Sequence, residues 1–202
     1  MSKFHDLHEQ GQSVWFDYIR RDTLSSGELA GLVDEGIRGH TSNPTIFQKA
    51  IASSTQYDDQ IREVLAEDPT ADSMQLFEAV AVSDIRAAAD LLRPVFDASS
   101  AADGHVSLEV SPHLAHDTEG TIADAKRLWG VVDRPNLMIK VPATDAGIPA
   151  IEELIASGIN VNATLMFSLT DYEAVAQAYL RGLHRAHDVA GIASVASFFV
   201  SR

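Results

Sequence analysis

The 202-residue chain contains no cysteine and carries 15 lysine and arginine residues against 29 aspartate and glutamate residues, which gives a formal net charge of −14. This excess of negative charge disfavours nucleic acids and anionic membrane surfaces as partners, and without cysteine there is no disulfide framework and no thiol nucleophile. The first residues lack the apolar core of a secretory signal peptide, so we expect a cytoplasmic protein with one domain over residues 1–202.

Short apolar runs alternate with longer helical patterns along the chain, which indicates βα units and a parallel sheet. Six strands are predicted, at Val14–Tyr18, Gly39–Asn43, His105–Val110, Leu137–Val141, Asn160–Phe167 and Ser194–Val200. Two architectures fit this alternation, an open doubly wound sheet and a (β/α)₈ barrel without its last units. The first turn, Asp17–Arg21, has no glycine, so a nucleotide-binding Rossmann or P-loop site is not predicted.

Helices are predicted between these strands. One follows Ser26, one opens at Asp117-Thr118-Glu119, and one opens at Thr170-Asp171-Tyr172-Glu173, which has the pattern of a capping box. The stretch between Pro44 and His105 is longer than a crossover needs and is predicted to contain extra helices.

Polar residues occupy several strands that should be apolar if they lay in a buried parallel sheet. They include Ser107 and Glu109, Lys140, Asp17, and the row Asn160, Asn162 and Thr164. Polar side chains at the carboxyl ends of parallel strands converge on one mouth, where barrel enzymes place their chemistry. The pattern therefore predicts a site at that end of the strands.

Lys140 can be interpreted in two ways. It is either a strand-end lysine that extends to solvent or an amine that forms an imine with a carbonyl, because burial among apolar neighbours disfavours the ammonium form. Imine chemistry also needs proton carriers. Glu109 and Asp17 are the available carboxylates, and the alternative for both is a structural salt bridge.

The polar residues around Lys140 also have structural alternatives. Thr164 and Asn162 can hold water and a substrate hydroxyl, or satisfy buried backbone groups. Asn43 can contact a substrate or begin a turn. Of the eight histidines, the pairs His113/His116 and His184/His187 lack a carboxylate partner and a HExxH arrangement, so no metal site is expected.

These residues resemble the transaldolase family, in the branch found in actinobacteria and cyanobacteria. The resemblance covers the whole chain and rests on the segments Gln12–Asp17, Thr41–Phe47, Ser107–Val110, Asn136–Thr144, Gly158–Leu165 and Ser197–Arg202. His40 and Tyr18 depart from the family pattern, which has an apolar and an asparagine-like residue there.

The resemblance implies a (β/α)₈ TIM barrel of the class I aldolase type and transfer of a dihydroxyacetone unit between sugar phosphates, in the non-oxidative pentose phosphate pathway, without a cofactor. Lys140 would form the Schiff base, Glu109 and Thr164 would activate a water, and Asp17 would accept the proton when the carbon–carbon bond breaks. Asn43 and Asn162 would hold the dihydroxyacetone hydroxyls, and Thr41 would also bind substrate. Ser197 and Arg202 would match the family's phosphate-binding positions, and Phe199 would line the pocket.

Members of this branch continue past the residue that matches Arg202, so the resemblance implies about six of the eight βα units plus extra helices. The missing C-terminal barrel segment, or another copy of the chain, is then an expected partner beside the sugar phosphates. Two alternatives stay open. One is an inactive or complementation-dependent barrel fragment, and the other is a related Schiff-base aldolase of a sugar phosphate.

Overall fold

Six short parallel strands alternate with helices in the computed structural model of the protein, which describes residues 2–201. The strands are β1 (Trp15–Asp17), β2 (Gly39–Thr41), β3 (His105–Glu109), β4 (Leu137–Pro142), β5 (Val161–Met166) and β6 (Ser194–Phe198). All six predicted strands are confirmed, and no end of a strand differs from the predicted one by more than two residues.

The order of the strands distinguishes the two predicted architectures. Hydrogen bonds join the strands in chain order, β1-β2-β3-β4-β5-β6. In a doubly wound sheet the order reverses at a switch point, whereas in a (β/α)₈ barrel each strand lies beside its neighbour in sequence. The described residues therefore have the α/β topology of a partial (β/α)₈ barrel, and the doubly wound alternative was wrong.

The chain divides into two compact units, Met1–Val106 and Ser107–Arg202. A single domain over residues 1–202 stays a prediction. Within residues 2–201, no helix is both long and apolar enough to cross a membrane.

The first unit contains β1 and β2, which pair in parallel. Its first three helices are α1 (Lys3–Glu9), α2 (Arg21–Ser25) and α3 (Glu28–Asp34). Trp15 lies against Gly39, where an added Cβ would come within 2.2 Å of the indole ring. A side chain at Gly39 would therefore push Trp15 aside and disturb the β1–β2 pair.

The predicted extra helices lie between β2 and β3. They are α4 (Pro44–Ala52), a 3₁₀ turn (Thr55–Tyr57), α5 (Asp58–Glu67) and α6 (Ser73–Ala98). Asp72 begins α6 with a capping box, in which its side chain accepts backbone N–H groups of the first turn and its own N–H donates to Oε1 of Gln75. Ala50, Tyr57 and Val80 form a small buried cluster among these helices.

An ion pair between a half-buried arginine and a buried carboxylate connects this helical insertion to the segment after β1. Arg21 at the start of α2 donates from Nε and Nη2 to Oδ1 of Asp84 in α6, at 2.8 and 2.7 Å. Its guanidinium also lies 4.6 Å from the ring centre of Tyr57, whose hydroxyl accepts the Arg21 N–H. The first turn of α2 is therefore fixed by charge, ring and backbone contacts together.

The second unit begins inside β3, at Ser107, and contains β4 to β6 with α7 (Thr118–Val132), α8 (Gly147–Ala156) and α9 (Leu169–Arg185). The predicted start of α7 is confirmed, because the side chain of Asp117 accepts the Gly120 N–H at 2.9 Å. The predicted start of α9 at Thr170 was wrong. Ser168 is the N-cap, since its hydroxyl accepts the Asp171 N–H and the Asp171 carboxylate accepts the Ser168 N–H.

Helices α8 and α9 pack closely because a glycine lies at their contact. A Cβ on Gly182 would come within 2.7 Å of the Glu152 carbonyl oxygen and of the Ile155 Cβ. Outside this contact, Arg181 donates to Glu152 at 2.6 Å. Within α8, Ile151 and Leu154 are fully buried. This layer covers the outer side of the strands that carry the candidate site.

Candidate active site

Lys140 lies inside β4, a strand whose six residues are all buried, and the lysine itself is only 7% exposed. Its Nζ lies 3.6 Å from Oε2 of Glu109, at the end of β3. The N–H of Val110, just after β3, donates to the carbonyl of Lys140 at 3.1 Å. The interpretation of Lys140 as a lysine that extends to solvent was therefore wrong. The contact with Glu109 is the salt bridge that was the structural alternative for this carboxylate, and it also brings the predicted amine and carboxylate together.

The next strand places two more predicted residues beside the lysine. In the parallel β4–β5 pair, Lys140 is in register with Asn162 and Pro142 is in register with Thr164. Asn162 and Thr164 are each 1% exposed. Among the described residues, the Thr164 hydroxyl has no hydrogen-bond partner. This buried hydroxyl is therefore free to bind a water or a ligand, since burial without a partner is costly.

Two serines hold the side-chain amide of Asn162. Its Nδ2 donates to Oγ of Ser107 in β3 at 2.9 Å, and Oγ of Ser197 in β6 donates to its Oδ1 at 2.7 Å. The site-residue prediction did not include Ser107. Its spacing of two from Glu109 was the available signal, because alternate residues of a strand share a face.

Asn160 belongs to the same polar row but has a structural role. Its Nδ2 donates to the carbonyl of Leu137 at 3.1 Å, and its Oδ1 accepts the N–H of Ala193 at 2.8 Å. Asn160 therefore holds the beginnings of β4 and β6 on either side of β5.

A β-bulge ends the polar row of β5. Ala163 pairs with Ala196 and Met166 pairs with Phe198, so β5 contains one extra residue between these pairs. Leu165 occupies the bulge with φ of 61°, in the left-handed region, and is 44% exposed. In a regular strand Met166 would share the face of Thr164. The bulge instead places Met166 on the face of Ala163, so Thr164 is the last residue of β5 on the polar face.

The first unit carries three of the predicted site residues. Asp17 is exposed at the end of β1 and lies in register with Thr41 at the end of β2. The Thr41 hydroxyl is buried and has no partner among the described residues. Asn43 is the N-cap of α4, where its side chain accepts the Ile46 N–H at 3.0 Å. The predicted turn role of Asn43 is confirmed, and its contact with a substrate stays a prediction.

His40, which departs from the family pattern, is fully buried in β2. Neither ring nitrogen has a hydrogen-bond partner among the described residues. Burial lowers the pKa of His40 from 6.5 to about 4, and the backbone of Tyr18 opposes this shift only in part. The imidazole is therefore neutral at pH 7, and its ring lies edge-on to Phe16 at 6.0 Å between ring centres.

Two predicted residues follow the last strand. Phe199 stacks on the exposed Phe167, with 5.0 Å between ring centres, and its N–H donates to the Met166 carbonyl at 2.9 Å. This aromatic pair lies at the carboxyl ends of β5 and β6. Arg202, predicted to bind phosphate, lies outside the described residues.

The second unit therefore brings together a buried amine, a carboxylate, a side-chain amide and a free hydroxyl. Lys140 can add to a carbonyl, Glu109 can exchange protons, and Asn162 and Thr164 can hold hydroxyl groups or water. Groups of three or more side chains suited to hold a metal ion are absent from residues 2–201.

Comparison with known proteins identifies related sequences over the same residues. A family model described as Transaldolase/Fructose-6-phosphate aldolase matches residues 14–202. Transaldolase 1 of Streptomyces avermitilis is 52% identical over 201 residues, which cover 97% of this chain and 53% of that protein. A transaldolase of Acidothermus cellulolyticus is 51% identical over 202 residues, covering 98% and 54%.

A third relative, Transaldolase 2 of a Nostoc species, is 50% identical over 203 residues, which cover 98% of this chain and 52% of that protein. The chain spans about half the length of the curated relatives it matches. The predicted resemblance to the actinobacterial and cyanobacterial branch is confirmed. The chain belongs to the transaldolase/fructose-6-phosphate aldolase family.

Proposed function

We propose that the protein is a transaldolase, which moves a dihydroxyacetone unit from a ketose phosphate to an aldose phosphate through a Schiff base on Lys140. The observation that supports this most strongly is the contact of 3.6 Å between the buried Lys140 amine and Glu109. The relatives at 50–52% identity carry the name transaldolase.

The first step joins Lys140 to the carbonyl carbon of the donor. The neutral amine attacks that carbon, and the resulting carbinolamine loses water to give the imine, so a group must protonate the departing hydroxyl. We assign this transfer to Glu109, directly or through a water, because its Oε2 lies 3.6 Å from the Lys140 Nζ. The buried Thr164 hydroxyl has no hydrogen-bond partner within residues 2–201, and this supports the presence of such a water.

The second step breaks the carbon–carbon bond. The protonated imine accepts the electron pair of the bond while a base removes the proton of the neighbouring hydroxyl, which releases an aldose phosphate and leaves an enamine on Lys140. We assign the base to Asp17, which is exposed at the end of β1 in register with Thr41. The enamine then adds to the acceptor aldehyde in the reverse sequence.

The remaining predicted residues would bind the substrate. Asn162 and Asn43 would hold the hydroxyls of the dihydroxyacetone unit. Thr41 would also contact the substrate, since its buried hydroxyl has no partner in the described part of the chain. Ser197 and Arg202 would bind the phosphate, and Phe199 would line the pocket. A protein with a net charge of −14 must place a local cation there to attract a dianion, and the planar fork of an arginine suits a phosphate.

Reductive trapping tests this proposal. The protein is incubated with fructose 6-phosphate and borohydride, and the modified residue is located by peptide mass spectrometry. We expect one reduced three-carbon unit on Lys140 and none on the other three lysines, Lys3, Lys49 and Lys126, which serve as internal controls. Lys140→Met should abolish the adduct.

The same trapping is run on a chimera in which the part of the Streptomyces avermitilis relative that this chain does not cover is joined to its end. An adduct in the chimera alone would show that activity depends on that part. A cooperatively folded chimera without any adduct on Lys140 would refute the proposal.

A second candidate is a sugar-phosphate aldolase with the same Schiff base, because the family description names both activities. The two activities differ in the fate of the enamine. A transaldolase adds it to an acceptor aldehyde, whereas an aldolase protonates it and releases dihydroxyacetone. Fructose 6-phosphate without an acceptor should yield about one glyceraldehyde 3-phosphate per site from a transaldolase. Continuous release of dihydroxyacetone without erythrose 4-phosphate as acceptor would favour the aldolase.

A further inference from the structure

The amide of Asn162 is held at both ends, by residues from two different strands. Ser107 of β3 accepts from its Nδ2 at 2.9 Å, and Ser197 of β6 donates to its Oδ1 at 2.7 Å. Asn162 is 1% exposed and Ser107 is fully buried. Bulk water therefore cannot replace Ser107 as the partner of the amide.

An asparagine side chain turns easily about its last bond, whose preferences are broad. A partner at one end alone leaves the amide free to tilt about that hydrogen bond. Contacts at both ends determine which direction the N–H groups and the oxygen face. Ser107 and Ser197 together therefore fix the plane of the Asn162 amide.

The fixed amide retains hydrogen-bonding capacity for a ligand. A primary amide has two N–H donors and two acceptor positions on oxygen, and the serines use one of each. One N–H and one acceptor position of Asn162 are not used within residues 2–201. Lys140 is in register with Asn162, so these groups lie beside the amine. A ligand bound to Lys140 would meet them.

We propose that Ser107 is a positioning residue, which orients the Asn162 amide toward the part of the donor sugar that is attached to Lys140. This role rests on the proposed transaldolase function. Ser107 does not touch the substrate in this arrangement. Its proposed effect on donor binding acts through the hydrogen bond to Asn162.

Ser107→Ala removes the hydroxyl that accepts the hydrogen bond from Nδ2 of Asn162. Ser194→Ala is the matched control. The Ser194 hydroxyl also donates one hydrogen bond to β5, to the Val161 carbonyl at 2.9 Å, but does not touch Asn162. Both variants are made in whichever protein gives the wild-type adduct, the chain or the chimera. The readouts are the fructose 6-phosphate concentration for half-maximal trapping on Lys140 and the half-saturating concentration of erythrose 4-phosphate in turnover.

We expect Ser107→Ala to raise the half-maximal fructose 6-phosphate concentration about fivefold, the factor that matches the net loss of one hydrogen bond of about 1 kcal/mol. The half-saturating acceptor concentration should change much less, and Ser194→Ala should change neither. In an Asn162→Ala background, Ser107→Ala should have no further effect on donor saturation.

The outcomes separate this role from the proposed function. No wild-type adduct on Lys140 would overturn the proposed function and this role with it. A wild-type adduct with unchanged donor saturation in Ser107→Ala would overturn the role of Ser107 alone. An equal change in Ser194→Ala, or an effect that persists in the Asn162→Ala background, would also overturn it.

Discussion

Replacing His40 by leucine should make the protein less sensitive to acid. Burial lowers the pKa of His40 to about 4, while the same imidazole in the unfolded chain titrates near 6.5. Between these values the unfolded chain binds more protons than the folded protein, so the stability contributed by the neutral ring is complete above pH 6.5 and is lost as the pH falls towards 4. One unit of pKa corresponds to about 1.4 kcal/mol, so the difference between the two pKa values of His40 corresponds to about 3 kcal/mol in the free energy of unfolding.

The assay is urea denaturation of the wild type and of His40→Leu at several pH values from 7 to 4. Carboxylates titrate in both proteins, so their contributions cancel in the difference between the two free energies of unfolding. We expect that difference to shift by about 3 kcal/mol in favour of the variant across this range. His187→Leu, at an exposed histidine, is the control and should follow the wild type. Parallel pH curves for the wild type and His40→Leu would refute the reasoning.

Three further predictions concern stability and are measured by chemical denaturation. Gly182→Ala should destabilise the protein by about 1–3 kcal/mol because the new methyl group meets the backbone of α8. The control Gly130→Ala lies inside α7 with open space around it and should stabilise the protein by about 0.5–1 kcal/mol. Equal effects of the two substitutions would contradict the packing argument. Asp84→Ala should cost about 3 kcal/mol by leaving Arg21 without its carboxylate, with only the neutral Gln60 side chain and the Gln56 carbonyl as acceptors. An Arg21→Met/Asp84→Leu double variant should recover most of that loss, and no recovery would contradict the ion-pair argument. Leu165→Gly should stabilise the protein by about 1 kcal/mol, since glycine adopts the left-handed conformation without strain. A loss of stability would show that packing of the leucine outweighs the strain.

The sequence was sufficient to predict the strands and the faces on which their polar residues lie. Alternation with a period of two places Ser107 with Glu109 and Asn162 with Thr164, because successive side chains of a strand point to opposite faces. Lys140 stood out as a charge inside an apolar run. These features depend only on local geometry, which the order of residue types determines.

Contacts between strands could not be predicted in this way. Nothing in the sequence shows that Ser107 and Ser197 meet the same amide, since that depends on the register of three strands. The bulge at Leu165 was also hidden, because leucine is not a residue that usually adopts positive φ. The start of α9 was misplaced for a related reason. Ser168 and Thr170 are both good caps, and only the actual hydrogen bonds distinguish them.

The helical insertion before β3 has a consequence for the order in which the protein folds. The residues that pair between β2 and β3, Gly39 and His105, are 66 positions apart in sequence, whereas Ile139 and Val161 of β4 and β5 are 22 positions apart. Closing a loop about three times longer costs about 1 kcal/mol more in chain entropy. Contacts of short sequence separation form faster. We therefore expect the β4–β5 pair with the Lys140–Asn162 register to form early and the β2–β3 pair to form late.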